Sequence, residues 1–136
     1  MRIEFDFAQC NEGIIKCIIN DTYVGIAKCH KDDMDMCSEK TGQTIAQYKA
    51  LIKYRKAKLN ELKKEYCAIK KFADYLKFKT HPKWIEKYMD EFKSRMAKAE
   101  VDYEIEKEAL KSYIEGKDKF YNSVRKMRTQ RDNRIN

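Results

Sequence analysis

The chain has 136 residues, 38% of them charged, with a net charge of +8, a single proline and four glycines. That length suits one domain, and no apolar run approaches the roughly 18 residues a membrane-spanning helix needs. Acidic residues interrupt the N-terminal stretch MRIEFDF, which argues against a signal peptide, and five cysteines without such a signal are expected as free thiols in a reducing cytoplasm.

Residues 2–8 alternate, with Ile3, Phe5 and Phe7 on one side and Arg2, Glu4 and Asp6 on the other. Period two is the signature of a half-buried strand. Asn11-Glu12-Gly13 marks a turn, residues 14–19 are β-branched and apolar around Cys17, and Asn20-Asp21 marks a second turn. Residues 22–28 read as a third strand, in which Gly25 marks a bulge or a close approach of another backbone. Three short strands are unstable alone, so one face of this meander must pack on a helix.

Residues 29–42, CHKDDMDMCSEKTG, are a polar connection, and Thr41 or Gly42 is the expected helix start. Cys29, His30 and Cys37 offer soft metal ligands, but zinc sites recruit ligands as close pairs and no second pair is present. Asp32, Asp33, Asp35 and Glu39 lack the glycine and terminal glutamate of a calcium loop. Next to a helix start they fit better as partners for its positive end. No metal or other cofactor is expected.

The first long helix, over residues 43–79, places Ile45, Tyr48, Ile52, Arg55, Leu59, Leu62, Tyr66, Ile69, Ala73 and Leu76 on one seam. Thr80-His81-Pro82 breaks it, and proline suits the first turn of a new helix. The second helix, over 82–128, continues the pattern through Ile85, Met89, Phe92, Met96, Ala99, Tyr103, Glu106, Leu110, Tyr113, Lys117, Phe120, Val124 and Met127, followed by a basic tail at 129–136. Apolar spacing of three and four gives shallow coiled-coil-like packing, and so short a connection forces an antiparallel return. The fold class is therefore α+β: one domain over 1–136, with a β-meander and acidic loop at 1–42 and a two-helix hairpin behind it. Gly116 is a weak point where the second helix bends or ends, leaving Phe120, Tyr121 and Val124 to pack on the meander. Leu51, Phe72, Tyr88, Tyr113 and Ile114 lie outside the seam and need cover, from the meander or from the partner in a homodimer.

Catalysis is not expected. Nucleophilic chemistry needs a nucleophile, a base and an orienting group together, and the only two histidines, His30 and His81, fall at opposite ends of the hairpin. Charge is the stronger signal. Residues 1–42 carry 5 basic and 8 acidic side chains, residues 43–80 carry 11 and 3, and residues 81–136 carry 14 and 11. The excess sits on the first helix, where a basic face attracts nucleic acid or an acidic groove. The expected contact residues are Lys53, Tyr54, Arg55, Lys56, Lys63, Lys64, Lys70 and Lys71, with Arg125, Arg128 and Arg131 as a second patch whose guanidinium forks match phosphate or carboxylate.

The stretch Gly25-Ile26-Ala27-Lys28-Cys29-His30-Lys31-Asp32-Asp33-Met34-Asp35, then Thr41-Gly42 and Ile45-Ala46, resembles a leader found in small proteins of phages of Gram-positive bacteria. There a strand ending in Ala-Lys-Cys precedes an acidic turn containing proline, then glycine and a helix opening Leu-Ala or Ile-Ala. Lys31 stands where proline is usual, and Met34 or Met36 where an aromatic is common. The resemblance implies a phage-encoded accessory protein of the host cytoplasm. Small proteins of that kind include anti-CRISPR inhibitors and sponges for defence signalling nucleotides. The expected function is thus a non-enzymatic inhibitor that occupies a nuclease or nucleic-acid channel of a host defence protein or ribonucleoprotein, a Cas effector foremost. The alternatives are direct nucleic-acid binding, a nucleotide sponge, and a structural protein acting through oligomerisation.

Overall fold

A computed structural model describes residues 1–29, 37–77 and 83–135, and of Lys77, Arg128 and residues 131–135 the backbone alone. Three antiparallel strands, β1 (Ile3–Asp6), β2 (Ile14–Ile19) and β3 (Tyr23–Lys28), lie in the order β1-β2-β3. Two helices follow, α1 (Glu39–Lys77) and α2 (Lys83–Ile135). The chain is thus α+β, a small meander joined to a long helical hairpin.

Local chemistry explains each boundary. A 3-10 turn over Cys10–Glu12 joins β1 to β2 and closes on Gly13, whose φ of 78° is the left-handed conformation glycine adopts without strain. The β2–β3 hairpin turns at Asn20 and Asp21, with φ of 51° and 57°. Two successive left-handed residues match the twist of paired strands, and Asn and Asp tolerate them. The Thr22 N–H closes the turn on the Ile19 carbonyl at 3.1 Å, and the Arg2 N–H ties β1 to the Asn20 side chain at 2.8 Å.

α1 begins at Glu39, two residues before the nearer expected start at Thr41, because Ser38 supplies the cap. Its Oγ accepts the Thr41 N–H at 3.0 Å, meeting one of the unpaired donors of the first turn. Gly42 lies inside the helix rather than before it. There a Cβ would stand 2.7 Å from Ile15 Cδ1, so the bare glycine makes room for β2.

The buried core is Ile15, Cys17, Ile19, Ala27, Ile45, Ala46 and Ala50, with Phe5, Tyr23, Leu51, Tyr54, Leu110 and Tyr113 packed around it. That cluster belongs to the sheet–α1 contact, and along the hairpin seam Leu59, Ala73, Ile85 and Phe92 are buried as well. Gly25 makes the contact close: a Cβ there would overlap the Ala46 carbonyl oxygen and the Ala50 amide nitrogen. The glycine is a close approach, not a bulge, since β2 and β3 pair without interruption from Ile14–Lys28 to Ile19–Tyr23.

Along the hairpin, Tyr48 meets Tyr113, Arg55 meets Glu106 and Tyr66 meets Phe92. This register sets Tyr121 opposite the start of α1. α2 does not end at Gly116; it runs on as helix to Ile135, through the segment expected as a tail. The glycine has nothing within 4 Å of a would-be Cβ, so it is simply an open position on a helix face. Tyr121 alone of the three aromatic and aliphatic residues behind it is buried, at 7% exposure, while Phe120 stays 62% exposed.

A candidate partner-binding face on the first helix

The basic residues of α1 divide into two groups. At the sheet end the lysines act within the fold. Lys49 Nζ donates to the Ile26 carbonyl at 3.1 Å and Lys53 Nζ to the Val24 carbonyl at 2.6 Å. Tyr54 packs edge-on against Tyr23, ring centroids 5.6 Å apart, and Arg55 lies 5.7 Å from the Tyr54 ring while facing Glu106. Lys56 rests 5.0 Å from the Tyr103 ring centre. Of the expected contact residues, Lys53, Tyr54, Arg55 and Lys56 are thus each engaged by another part of the chain.

The distal lysines differ. Lys63, Lys64, Lys70 and Lys71 are all exposed, and none has an ion pair among the described residues. Spacing of three and four keeps them with Lys56 on one side of α1, a stripe about 22 Å long at 1.5 Å per residue. Asp74 is the one acid in line with it; Glu61 and Glu65 project elsewhere by the same helical geometry. Five like charges held on one face against a single acid form a positive field that attracts phosphate or carboxylate.

Aromatic surface accompanies this end of the hairpin. Phe72, Tyr75, Trp84 and Tyr88 are 58%, 56%, 62% and 46% exposed. Trp84 was not anticipated as a surface anchor, though one tryptophan standing beside rather than on the seam carries that signal. Phe72 and Tyr88 stay without the cover expected for them, whereas Leu51 and Tyr113 find it against the core.

The second basic patch lies elsewhere. Arg125 donates to Asn122 Oδ1 at 3.0 Å on the part of α2 that overhangs the sheet end. The side chains of Arg128 and Arg131 are outside the described atoms. By the hairpin register Arg125 is about 54 Å along the axis from Lys71, so the two patches do not form one surface.

Two cysteines depart from expectation. Cys29 and Cys37 form a disulfide with Cα atoms 6.4 Å apart, and only Cys10, Cys17 and Cys67 are free. The end of β3 and the start of α1 bring them together, a proximity that sequence spacing does not reveal. Both sulfurs are then unavailable as metal ligands. His30 and the carboxylates Asp32, Asp33 and Asp35 lie outside the described residues, as does the His81-Pro82 turn. Among the described residues no group of three His, Cys, Asp or Glu side chains could hold a metal ion, and no helix is long and apolar enough to cross a membrane.

A cleft of about 500 Å³ opens at the sheet end, between Ile15, Ala27, Gly42 and Ile45 below and Lys117 and Tyr121 above. The Lys117 ammonium sits 5.1 Å from the Tyr121 ring centre and 3.8 Å from Asp118. Cys17, fully enclosed in the nearby core, has its thiol pKa pushed above the ordinary 9.0 by burial, so it is a packing residue rather than a nucleophile. No family model matches the chain, and comparison with curated proteins and with solved structures gives no match.

Proposed function

We propose that this protein is a non-enzymatic inhibitor of the anti-CRISPR type. It occupies the nucleic-acid channel of a host defence effector with the distal half of its helical hairpin. One observation carries this reading: Lys63, Lys64, Lys70 and Lys71 stand exposed on one face of a long helix, without ion pairs among the described residues. A positive stripe is drawn to acidic side chains of the effector or to the phosphates of its bound nucleic acid, and a long helical rod so anchored blocks the channel sterically. The likeness of residues 25–46 to phage leaders supports the setting.

The test is plasmid interference in bacteria carrying a CRISPR–Cas effector and expressing this chain. Plasmid survival is the expected result. Reversing Lys63, Lys64, Lys70 and Lys71 to Glu should abolish it with little change in melting temperature, because these side chains are exposed and make no ion pair among the described residues. Survival unchanged by the reversal would remove this face from the proposal.

A second reading rests on the exposed aromatics. Phe72, Tyr75, Trp84 and Tyr88 near a lysine stripe supply stacking surfaces beside phosphate partners, the combination used by single-strand binders. Phosphate-driven affinity falls steeply with salt. Titrating a fluorescent single strand at about 50 mM and at higher salt separates the readings: no binding at low salt excludes the second.

A further inference from the structure

The two edges of the sheet are finished differently. In an antiparallel ladder every second residue turns its N–H and C=O away from the partner strand. The Asn20 N–H bonds the Arg2 carbonyl at 2.9 Å, so the even-numbered residues of β1 face β2. Ile3 and Phe5 therefore direct their backbone groups outward. On β3 the Cys29 N–H to Gly13 carbonyl bond, 2.7 Å, sets the opposite parity and turns Val24 and Ile26 outward. Those two carbonyls are taken by Lys53 and Lys49. Lysine placed along an edge prevents the addition of another strand.

β1 has no such protection. Among the described residues nothing bonds the outward groups of Ile3 or Phe5. Directly paired residues share a sheet face, so Ile3 and Phe5, opposite Ile19 and Cys17, belong to the α1 side. Ile3 and Phe7 are nevertheless each 37% exposed and Met1 is 64% exposed, because α1 covers β2 and β3 and leaves the β1 margin open. An unbonded edge thus runs beside a row of apolar side chains.

We propose that β1 pairs antiparallel with β1 of a second copy of this chain, making one six-stranded sheet across a two-fold axis at Ile3. Charge selects both the occupant and the register. On the outer face Arg2 and Glu4 already form an ion pair within one chain. Antiparallel pairing about Ile3 sets Arg2 opposite Glu4 of the second copy, and Glu4 opposite its Arg2, so four charges alternate in sign. Advancing the axis to Glu4 keeps two opposite-charge pairs, Arg2 with Asp6 of the second copy and the reverse, but sets Glu4 against Glu4 at the axis itself. Advancing it to Phe5 sets Glu4 against Asp6 of the second copy. Like charges directly opposite destabilise a strand pair. On the inner face the favoured register sets Ile3 against Ile3 and closes the apolar row, with both α1 helices on the same side. The distal lysine stripes stay free, so the dimer displays two of them.

The experiment is size-exclusion chromatography with light scattering over a concentration series, with amide exchange read at Ile3 and Phe5. The expected mass is twice the 16.3 kDa of the chain, and exchange at Ile3 and Phe5 slows as concentration rises. Arg2→Glu should weaken the dimer about tenfold, since repulsion replaces attraction at two symmetric pairs. Arg2→Glu with Glu4→Arg should restore it, because the alternation returns with reversed sign. Ile3→Pro should abolish pairing while keeping β1 on β2, since the Ile3 N–H serves no bond within the chain. A monomer at every concentration overturns the proposal. So does a dimer indifferent to Arg2→Glu, and so does an edge protected only when an extended foreign peptide is added.

Discussion

Arg55 and Glu106, the charged residues that interrupt the middle of the two helical seams, face each other across the hairpin with Nε and Oε1 4.0 Å apart. The Arg55 Nε is enclosed and finds no hydrogen-bond acceptor among the described residues, so the carboxylate offsets its charge without satisfying its proton. The side chains keep 34% and 18% of their exposure, which leaves water to screen the pair. Replacing Glu106 with Leu should cost about 1 kcal/mol, because it strands the cation beside apolar neighbours. Replacing both residues with Leu should recover that loss. A double-mutant cycle of Arg55→Leu, Glu106→Leu and the double variant, read by urea unfolding, measures it; a double-variant loss equal to the sum of the two single losses would show that the charges do not interact.

The three glycines of known surroundings should respond to alanine in three different ways. Gly25→Ala forces a methyl into α1 backbone, which has no rotamer to yield, and should cost about 3 kcal/mol or separate the sheet from the helix. Gly42→Ala meets only the tip of Ile15, and the gain in helix propensity, about 1 kcal/mol, should roughly cancel the crowding. Gly116→Ala meets nothing and should stabilise α2 by about 1 kcal/mol. Thermal melts rank them, and a harmless Gly25→Ala would contradict the close contact between β3 and α1.

Cys17 predicts a pH dependence. Its folded thiol has a pKa above the 9.0 it shows when solvated. As pH rises past 9.0 the unfolded thiol loses its proton first and the native one keeps it, so the unfolded state binds fewer protons and stability falls with pH. The burial contribution is complete below 9.0 and declines above it. The slope of unfolding free energy against pH in this alkaline range should be shallower in Cys17→Ala than in the parent, whatever the cavity does to absolute stability. Parallel slopes would contradict the burial.

Thiol labelling reads the cysteine pattern directly. Alkylation without reductant should modify Cys10 and Cys67 in the native protein and add Cys17 in denaturant. Cys29 and Cys37 should react only after reduction. Rapid native labelling of Cys29 or Cys37 would show the pair to be reduced.

The helical hairpin was legible because seam residues such as Ile45, Leu59 and Ile85 recur with the period of a helix, and nearest-neighbour spacing is a property of sequence. So were the strands, where alternation around Phe5 and the Asn20-Asp21 turn speak through local backbone preference. The binding face was only half legible. Helical periodicity gathers the lysines from Lys53 to Lys71 on one side of α1, but it does not distinguish Lys53, held by the Val24 carbonyl, from Lys63, which has no ion pair or hydrogen bond among the described residues. That distinction depends on where β3 crosses the helix.

Sequence alone determined that three strands precede two long helices, and which helix carries the positive charge, because each follows from interactions within a few residues or from simple counting. Tertiary structure alone decided that Arg55 meets Glu106, that Cys29 reaches Cys37, that Gly25 admits the α1 backbone, and that Lys49 and Lys53 close one sheet edge while β1 stays open. Those are contacts between residues distant along the chain. They depend on the angle and register at which whole elements pack, and no local preference of the residues involved encodes that geometry.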